Sequence, residues 1–234
     1  MNIFVVIREN TALILLNTSG EALHKRGYRR EAGDAPIKET LAAAIIMVSN
    51  WRYKSPFLDP FCGSGTIAIE AALMARNIAP GLKRSFAFES WDWYDKKYKL
   101  DETTAAMARI YPSGEYQIEA SDIDPDMVEI AMENARRAGI PNDVTFRNAD
   151  VRSYADSKRT GCLVTNPPYG LRLNDQDLVP LYDTLTKIFK ANKELAGGII
   201  TSWDLFLDRA KREGFEKRKL YNGSERCDFC YKKA

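Results

Sequence analysis

From Pro56 to Tyr231, short apolar runs alternate with longer amphipathic stretches, and that rhythm leaves few architectures open. Pro56–Pro60, Gln117–Ile123, Val144–Asn148, Gly161–Thr165 and Gly198–Ser202 read as strands. Thr66–Asn77, Asp126–Ala138, Leu178–Asn192 and Trp203–Glu213 read as helices, the second stopped by Gly139 and Pro141. Phe215–Tyr221 and Arg226–Tyr231 flank Asn222-Gly223, a hairpin signal. The expectation is an α/β fold: a mostly parallel seven-stranded sheet, helices on both faces, and a C-terminal antiparallel hairpin.

Ahead of this region, Ile3–Ile7 and Ala12–Asn17 read as two strands, followed by the basic segment Leu23–Arg30. Asp34-Ala-Pro36 is read as opening a helix, with Asp34 as cap and Leu41, Ala44, Ile45, Val48 and Trp51 as its buried stripe. The division expected is 1–30 as strand pair and connector and 31–234 as one catalytic domain; 234 residues, 45% of them hydrophobic, suit one large core. With 34 basic and 32 acidic residues the net charge of +2 excludes no partner class. No apolar run approaches the roughly 18 residues of a membrane span, so a soluble, cytoplasmic protein is expected.

Cys227 and Cys230 have the spacing of half a metal site, but no second such pair exists and His24 is the single histidine. Alternation through Arg226–Lys233 favours an edge strand in which cysteine is a small apolar residue, and no metal is expected. Between Ala79 and Gly114 aromatics such as Trp91, Trp93 and Tyr98 interleave with lysines. This is either a stacking surface for bases or an insertion packed on a helix, and the second reading is preferred.

Asp59-Pro-Phe-Cys-Gly-Ser-Gly65 sits where a strand gives way to a helix, the place where open α/β sheets bind ligands. No P-loop lysine follows, and Ala68 stands where a dinucleotide fingerprint needs its third glycine. Asp59 would repel a pyrophosphate but suits the ammonium and sulfonium charges of S-adenosylmethionine. Asp122 ends the next strand and Asp150 follows the one after, placed to accept from ribose hydroxyls and from an adenine amino group. Any one of these acids alone is as easily a helix cap, as Asp124 before Pro125 illustrates.

Asn166-Pro-Pro-Tyr169 follows the apolar strand Cys162–Thr165. An exocyclic amine is a poor nucleophile while its lone pair is delocalised. The Asn166 amide oxygen and the Pro167 carbonyl, rigid because Pro168 follows, can both accept from one amino group and stabilise the charge it gains. Tyr169 would stack on the planar group, which for a base must be turned out of its surroundings. No general base is needed, because the methylated ammonium is acidic enough to lose its proton to water.

Leu23–Arg29, Ala35–Ala43, Asp59–Gly65, Asn77–Gly81, Ser121–Pro125 and Asn166–Gly170 together resemble the bacterial THUMP-linked RNA methyltransferases. These were once labelled N6-adenine DNA methylases and are similar to the large-subunit rRNA guanine-N2 methyltransferases. The likeness runs from about Ile3 to Tyr231 and implies a Rossmann-like class I methyltransferase fold. It places Asp59, Gly63 and Gly65 on the methionine part of the cofactor, with Pro60, Phe61 and Cys62 in the same turn. Asp122 would take the ribose, Ile123 would pack on adenine, Asp150 and Val151 would bind its edge, and Asn166–Tyr169 would hold the target base. Pro36 and Thr40 match the N-terminal cofactor segment. Members usually carry a THUMP domain ahead of this region, so RNA, with a THUMP domain on this or another chain, is the expected partner. The activity implied is methylation of guanine N2 in rRNA. Adenine N6 in DNA or RNA, a protein glutamine, and a non-catalytic cofactor-binding adaptor are the alternatives; the basic Leu23–Arg30 segment argues against the protein substrate.

Overall fold

The computed structural model describes residues 2–29, 36–114, 116–169 and 174–233. Two sheets form: β1 (Ile3–Arg8) and β2 (Thr11–Leu16) make an antiparallel ribbon of their own, and seven strands make the main sheet in the order β5-β4-β3-β6-β7-β9-β8. Its members are β3 (Phe57–Asp59), β4 (Ile118–Asp122), β5 (Thr145–Asn148), β6 (Gly161–Thr165), β7 (Leu195–Thr201), β8 (Glu216–Asn222) and β9 (Glu225–Lys232). The first five are parallel and β8–β9 is the antiparallel hairpin, as expected. The chain order reverses between β3 and β6, which opens a crevice at their carboxyl ends.

The helices are α1 (Glu39–Val48), α2 (Thr66–Ala75), α3 (Lys96–Met107), α4 (Pro125–Ala138), α5 (Asp175–Ala191) and α6 (Asp204–Ala210). Ile45, Ile46, Ala71, Ala72, Ala131 and Ala135 pack on one face of the sheet, and Tyr182, Leu185, Ile188 and Phe206 on the other. Small residues on α2 and α4 let both helices lie close: a Cβ built on Gly65, at φ 84°, would come within 2.9 Å of the Ala131 Cβ. Among the described residues, no helix is long and apolar enough to cross a membrane.

Several boundaries differ from the sequence reading. Pro36–Lys38 does not begin α1 but runs extended into it, because Asn222 in β8 holds it: its Oδ1 accepts from Lys38 N at 3.2 Å and its Nδ2 donates to Pro36 O at 3.4 Å. The cap assigned to Asp34 lies outside the described residues. Helix α5 begins three residues early, capped by Asn174 Oδ1 on Asp177 N at 3.0 Å, and β7 likewise begins at Leu195. The hairpin turn is Gly223-Ser224 rather than Asn222-Gly223, since Asn222 pairs with Glu225. Helix α3 falls inside the stretch between Ala79 and Gly114 where aromatics interleave with lysines and for which no helix of its own is expected.

Strand β9 is not an edge strand; β7 and β8 flank it, and β8 is the edge. Cys227 and Cys230 are both buried, and their odd spacing sends one to each face of the sheet, into different core clusters. They cannot ligate one ion together.

The basic connector also turns inward. Arg26 donates to both carboxylate oxygens of buried Glu70 on α2, at 3.2 and 3.1 Å, and Tyr28 Oη donates to the same group at 3.0 Å. Arg29 bonds Glu39 at 3.3 Å and the Ile37 carbonyl at 2.9 Å. These cations anchor the connector and do not face a partner. Glu70→Ala strands Arg26 without its buried counter-charge and should lower unfolding free energy by about 3–5 kcal/mol. A fall of less than about 1 kcal/mol in the unfolding free energy measured by urea denaturation would contradict this role.

Candidate functional site

The turn after β3 is stitched to β4 before it reaches α2. Cys62 N donates to Ser121 O at 2.8 Å, and Gly63 N donates to Asp122 Oδ2 at 2.9 Å. Asp122 Oδ1 accepts from Asp124 N at 3.1 Å, so one carboxylate fixes both the glycine turn and the end of its own strand. Gly63 adopts φ 49°, and a Cβ there would enter open space. The two glycines therefore differ: Gly63 opens the turn outward, whereas Gly65 lets α2 approach α4.

That open space is a cavity of about 630 Å³ at the carboxyl edge of the sheet. Pro36, Pro60, Phe61, Cys62, Gly63, Asp122, Ile123, Asp150, Val151, Asn166 and Pro168 all line it, so residues far apart in sequence share one wall. Ile37, Ser64, Thr66, Ile67, Met127, Ala149, Arg152 and Leu181 complete it; the sequence reading had passed over these. Met127 and Leu181 look like ordinary core positions of α4 and α5, and nothing in their spacing distinguishes a cavity wall from a core. Asp59, Thr40, Gly65, Pro167 and Tyr169 do not line it. Thr40 is exposed on α1, and Tyr169 packs against the α5 side of the core.

Asp59 is fully buried behind that wall. Its Oδ1 accepts from Thr165 Oγ1 at 2.7 Å and from Phe61 N at 3.3 Å, while Oδ2 has no hydrogen-bond partner among the described residues. Burial raises its pKa to about 7, against the two hydrogen bonds that pull it down. Asp150 caps the 3-10 turn Val151–Tyr154 through Arg152 N at 2.8 Å, and the Arg152 guanidinium grips both its oxygens. That contact holds the Asp150 carboxyl below the usual carboxylate range and keeps it charged. Ile123 presents its side chain 64% exposed at the cavity rim, an unusual setting for isoleucine that leaves an apolar surface for a flat ligand. Asp124 is a cap on Asp126 N at 2.9 Å.

On the other side of the crevice, β6 delivers Asn166. Its Oδ1 is buried and without a hydrogen-bond partner among the described residues, on a residue that lines the cavity. The next turn is braced from two sides. Thr165, immediately before Asn166, is tied to Asp59 in the neighbouring strand; Tyr182 Oη on α5 donates to the Pro168 carbonyl at 3.3 Å and meets Thr201 Oγ1 at 2.7 Å. Tyr182 thus engages the carbonyl of Pro168, which lines the cavity with Asn166, whereas Pro167, the other acceptor expected from the sequence, is buried and does not. Thr165 and Tyr182 had not been singled out in the sequence, because a buried threonine and tyrosine read simply as core.

The arrangement combines a buried carboxyl at β3, carboxylates at the ends of β4 and β5, and a buried amide oxygen after β6, all at the switch point. It can hold a cationic ligand that carries a ribose and a base, and present an amino group to it.

A family model described as RMKL-like, methyltransferase domain matches residues 26–230. YpsC of Bacillus subtilis (strain 168), which bears the name "Putative RNA methyltransferase YpsC", is 42% identical over 230 residues, covering 96% of this chain and 59% of its own. Ribosomal RNA large subunit methyltransferase K/L of Shewanella baltica (strain OS195) is 42% identical over 231 residues, or 95% of this chain and 32% of its own. Among solved structures, SMU.472 in complex with SAH superposes with a TM-score of 0.88 at 39% identity, covering 99% of this chain and 61% of that one. A predicted N6-adenine-specific DNA methylase from Listeria monocytogenes str. 4b F2365 gives 0.86 at 39% identity, covering 99% of this chain and 60% of that one. The chain thus spans less than two thirds of the length of each of these relatives.

Proposed function

We propose that this chain, which belongs to the family of RMKL-like methyltransferase domains, transfers a methyl group from S-adenosylmethionine to an exocyclic amino group of RNA, with guanine N2 of rRNA as the target. The observation that carries the reading is Asn166, whose buried Oδ1 has no hydrogen-bond partner among the described residues and which lines the same cavity as Gly63, Asp122 and Ile123. The RNA follows the names of the relatives, one of which is a ribosomal RNA large subunit methyltransferase, and guanine N2 follows the motif resemblance described above.

The residues present fit the cofactor. Asp59, buried behind Phe61 with no hydrogen-bond partner for Oδ2 among the described residues, would act on a cation in the cavity through its charge and not by contact; Gly63 leaves room where any side chain would intrude, and Asp122 can accept from vicinal hydroxyls. Exposed Ile123 beside Asp150 and Val151 suits a purine face and edge. When bound, the cofactor supplies an electrophilic methyl group. This chain's part is to place the amine: the Asn166 amide oxygen, with the Pro167 carbonyl as the second acceptor that the resemblance implies, would accept from its hydrogens, draw the nitrogen toward tetrahedral geometry and offset its growing charge. The brace of Thr165 and Tyr182 holds those acceptors in place, so alignment is set before the amine arrives.

Adenine N6 is the second reading, favoured by the Listeria relative named for that chemistry. Exposure of the chain to tritiated cofactor with bulk rRNA, tRNA, DNA and protein in separate reactions tests the substrate class. Label in rRNA is expected; label confined to DNA or protein would overturn the assignment.

Ionised Asp59 would favour a cationic ligand, so cofactor affinity should rise with pH through about 7 and then level, with a proton released on binding. The unliganded fold behaves oppositely. A carboxyl whose folded pKa is raised from 3.8 to about 7 binds its proton more tightly when folded, so stability falls as pH rises between those values. Calorimetry in buffers of different ionisation enthalpy, with Asp59→Asn as control, checks both slopes; identical slopes in the variant would remove Asp59 from the account.

A further inference from the structure

We infer that the β8–β9 hairpin tip is a second RNA-contact surface, gripping the strand beside the nucleotide in the cavity; this rests on the RNA reading above. Strand β7 ends at Thr201, which pairs with Asp228, so Glu225–Cys227 and their partners on β8 continue past it. A two-stranded ribbon therefore stands about 10 Å proud of the sheet's carboxyl edge, the edge that carries Asn166. Its tip is fastened to the cavity wall through the paired bonds of Asn222 to Pro36 and Lys38.

The ribbon carries what a nucleic-acid strand requires. Tyr221 is 56% exposed and lies opposite Arg226, whose side chain is 64% exposed. Two residues earlier on the same face, Lys219 Nζ sits 5.6 Å from the centre of the Tyr221 ring. The Lys38 ammonium lies over the turn, 3.4 Å from where a Gly223 Cβ would be. Two acids offset part of this charge, Asp228, opposite Lys219 and 3.9 Å from Arg226, and Glu225, which accepts from Ser202 Oγ at 3.3 Å, but the three cations Lys38, Lys219 and Arg226 outnumber them. An aromatic ring flanked by cations on a β-ribbon stacks a base and neutralises its phosphates without reading sequence.

The other exposed lysine pair near aromatics, Lys96 and Lys97 on α3, serves as a control. That insertion packs on the carboxyl ends of α2 and α4, through Tyr111 N on Arg76 O and Lys83 Nζ on Arg137 O, and so lies at the opposite end of the sheet.

The test is fluorescence anisotropy of the full chain with a fluorescein-labelled single-stranded RNA of mixed sequence, in the presence of S-adenosylhomocysteine, over a salt series. Lys219→Ala/Arg226→Ala should weaken binding at least about tenfold and flatten the slope of log affinity against log salt by about 1.4, roughly 0.7 per lost phosphate contact. Tyr221→Ala should weaken binding without changing that slope. Cofactor affinity should be unchanged in both, which reports an intact fold. An unchanged slope, or the same loss from Lys96→Ala/Lys97→Ala, would overturn the inference while leaving the RNA reading in place. No binding by the wild-type chain would overturn both.

Discussion

Asn166→Ala is expected to lower the rate of methyl transfer by about 10²–10³-fold while leaving S-adenosylmethionine affinity within a few-fold. The amide oxygen is buried and has no hydrogen-bond partner among the described residues, and Asn166 lines the cavity without joining the hydrogen bonds that shape the glycine turn. Its value lies in the charge that appears on the amine during transfer, so its loss should appear in kcat more than in KM. Asn166→Asp keeps an acceptor and adds a charge; it should retain more activity than alanine if acceptance from the amine is the role. Loss of cofactor binding in Asn166→Ala, with transfer per bound cofactor intact, would contradict the assignment.

Asp122→Ala should weaken cofactor binding by about 10²-fold, the loss of about two hydrogen bonds to a charged acceptor at the low end of their range. The mutation acts twice. It removes the acceptor facing the cavity, and it frees Gly63 N and Asp124 N, whose bonds to the same carboxylate set the turn at φ 49°. Asp122→Asn separates the two effects, because its single carbonyl oxygen can serve either the turn or the ligand but not both with charge. Isothermal titration with S-adenosylhomocysteine measures the loss, and a fall of less than threefold in Asp122→Ala would leave the acid a purely local brace.

Much of this site was legible in the sequence because it depends on positions along strands. Asp59, Asp122, Asp150 and Asn166 each close or follow a parallel strand, and the parallel order brings those ends to one edge whatever the details between. Helix α3 was not legible: its face mixes lysine, tyrosine, threonine and alanine, and its cap Asp95, accepting from Lys97 N at 2.9 Å, is one acid among many. The start of α1 failed for a different reason. Pro36 is a good first-turn residue, but an amide 186 positions later claims its carbonyl, and no local signal carries that distance. The inward turn of Arg26 and Arg29 was hidden likewise, since the buried Glu70 and Glu39 that draw them in sit on helices that read as ordinary amphipathic segments. In the aromatic insertion the expected packing on a helix gives way to stacking of Phe86, Phe88 and Tyr94 among themselves beside Arg84 and Lys99. Trp93, 72% exposed, departs from it.

The edge-strand reading of Arg226–Lys233 went wrong for a reason that bears on function. Alternation shows that a strand has two different faces but not how many neighbours it has, and the edge position belongs to the more highly charged β8. Lysine and arginine on an outer strand discourage pairing with another sheet. Beyond the end of β7 the same residue types stand clear of the sheet, next to the cavity wall.

Identification of the methylated nucleoside tests the central claim most directly. Ribosomal RNA labelled by this chain from tritiated S-adenosylmethionine would be digested to nucleosides and separated against standards. N2-methylguanosine carrying the label, and losing it in Asn166→Ala, is the predicted result. Label in N6-methyladenosine, or in no RNA nucleoside while the cofactor binds normally, would contradict it.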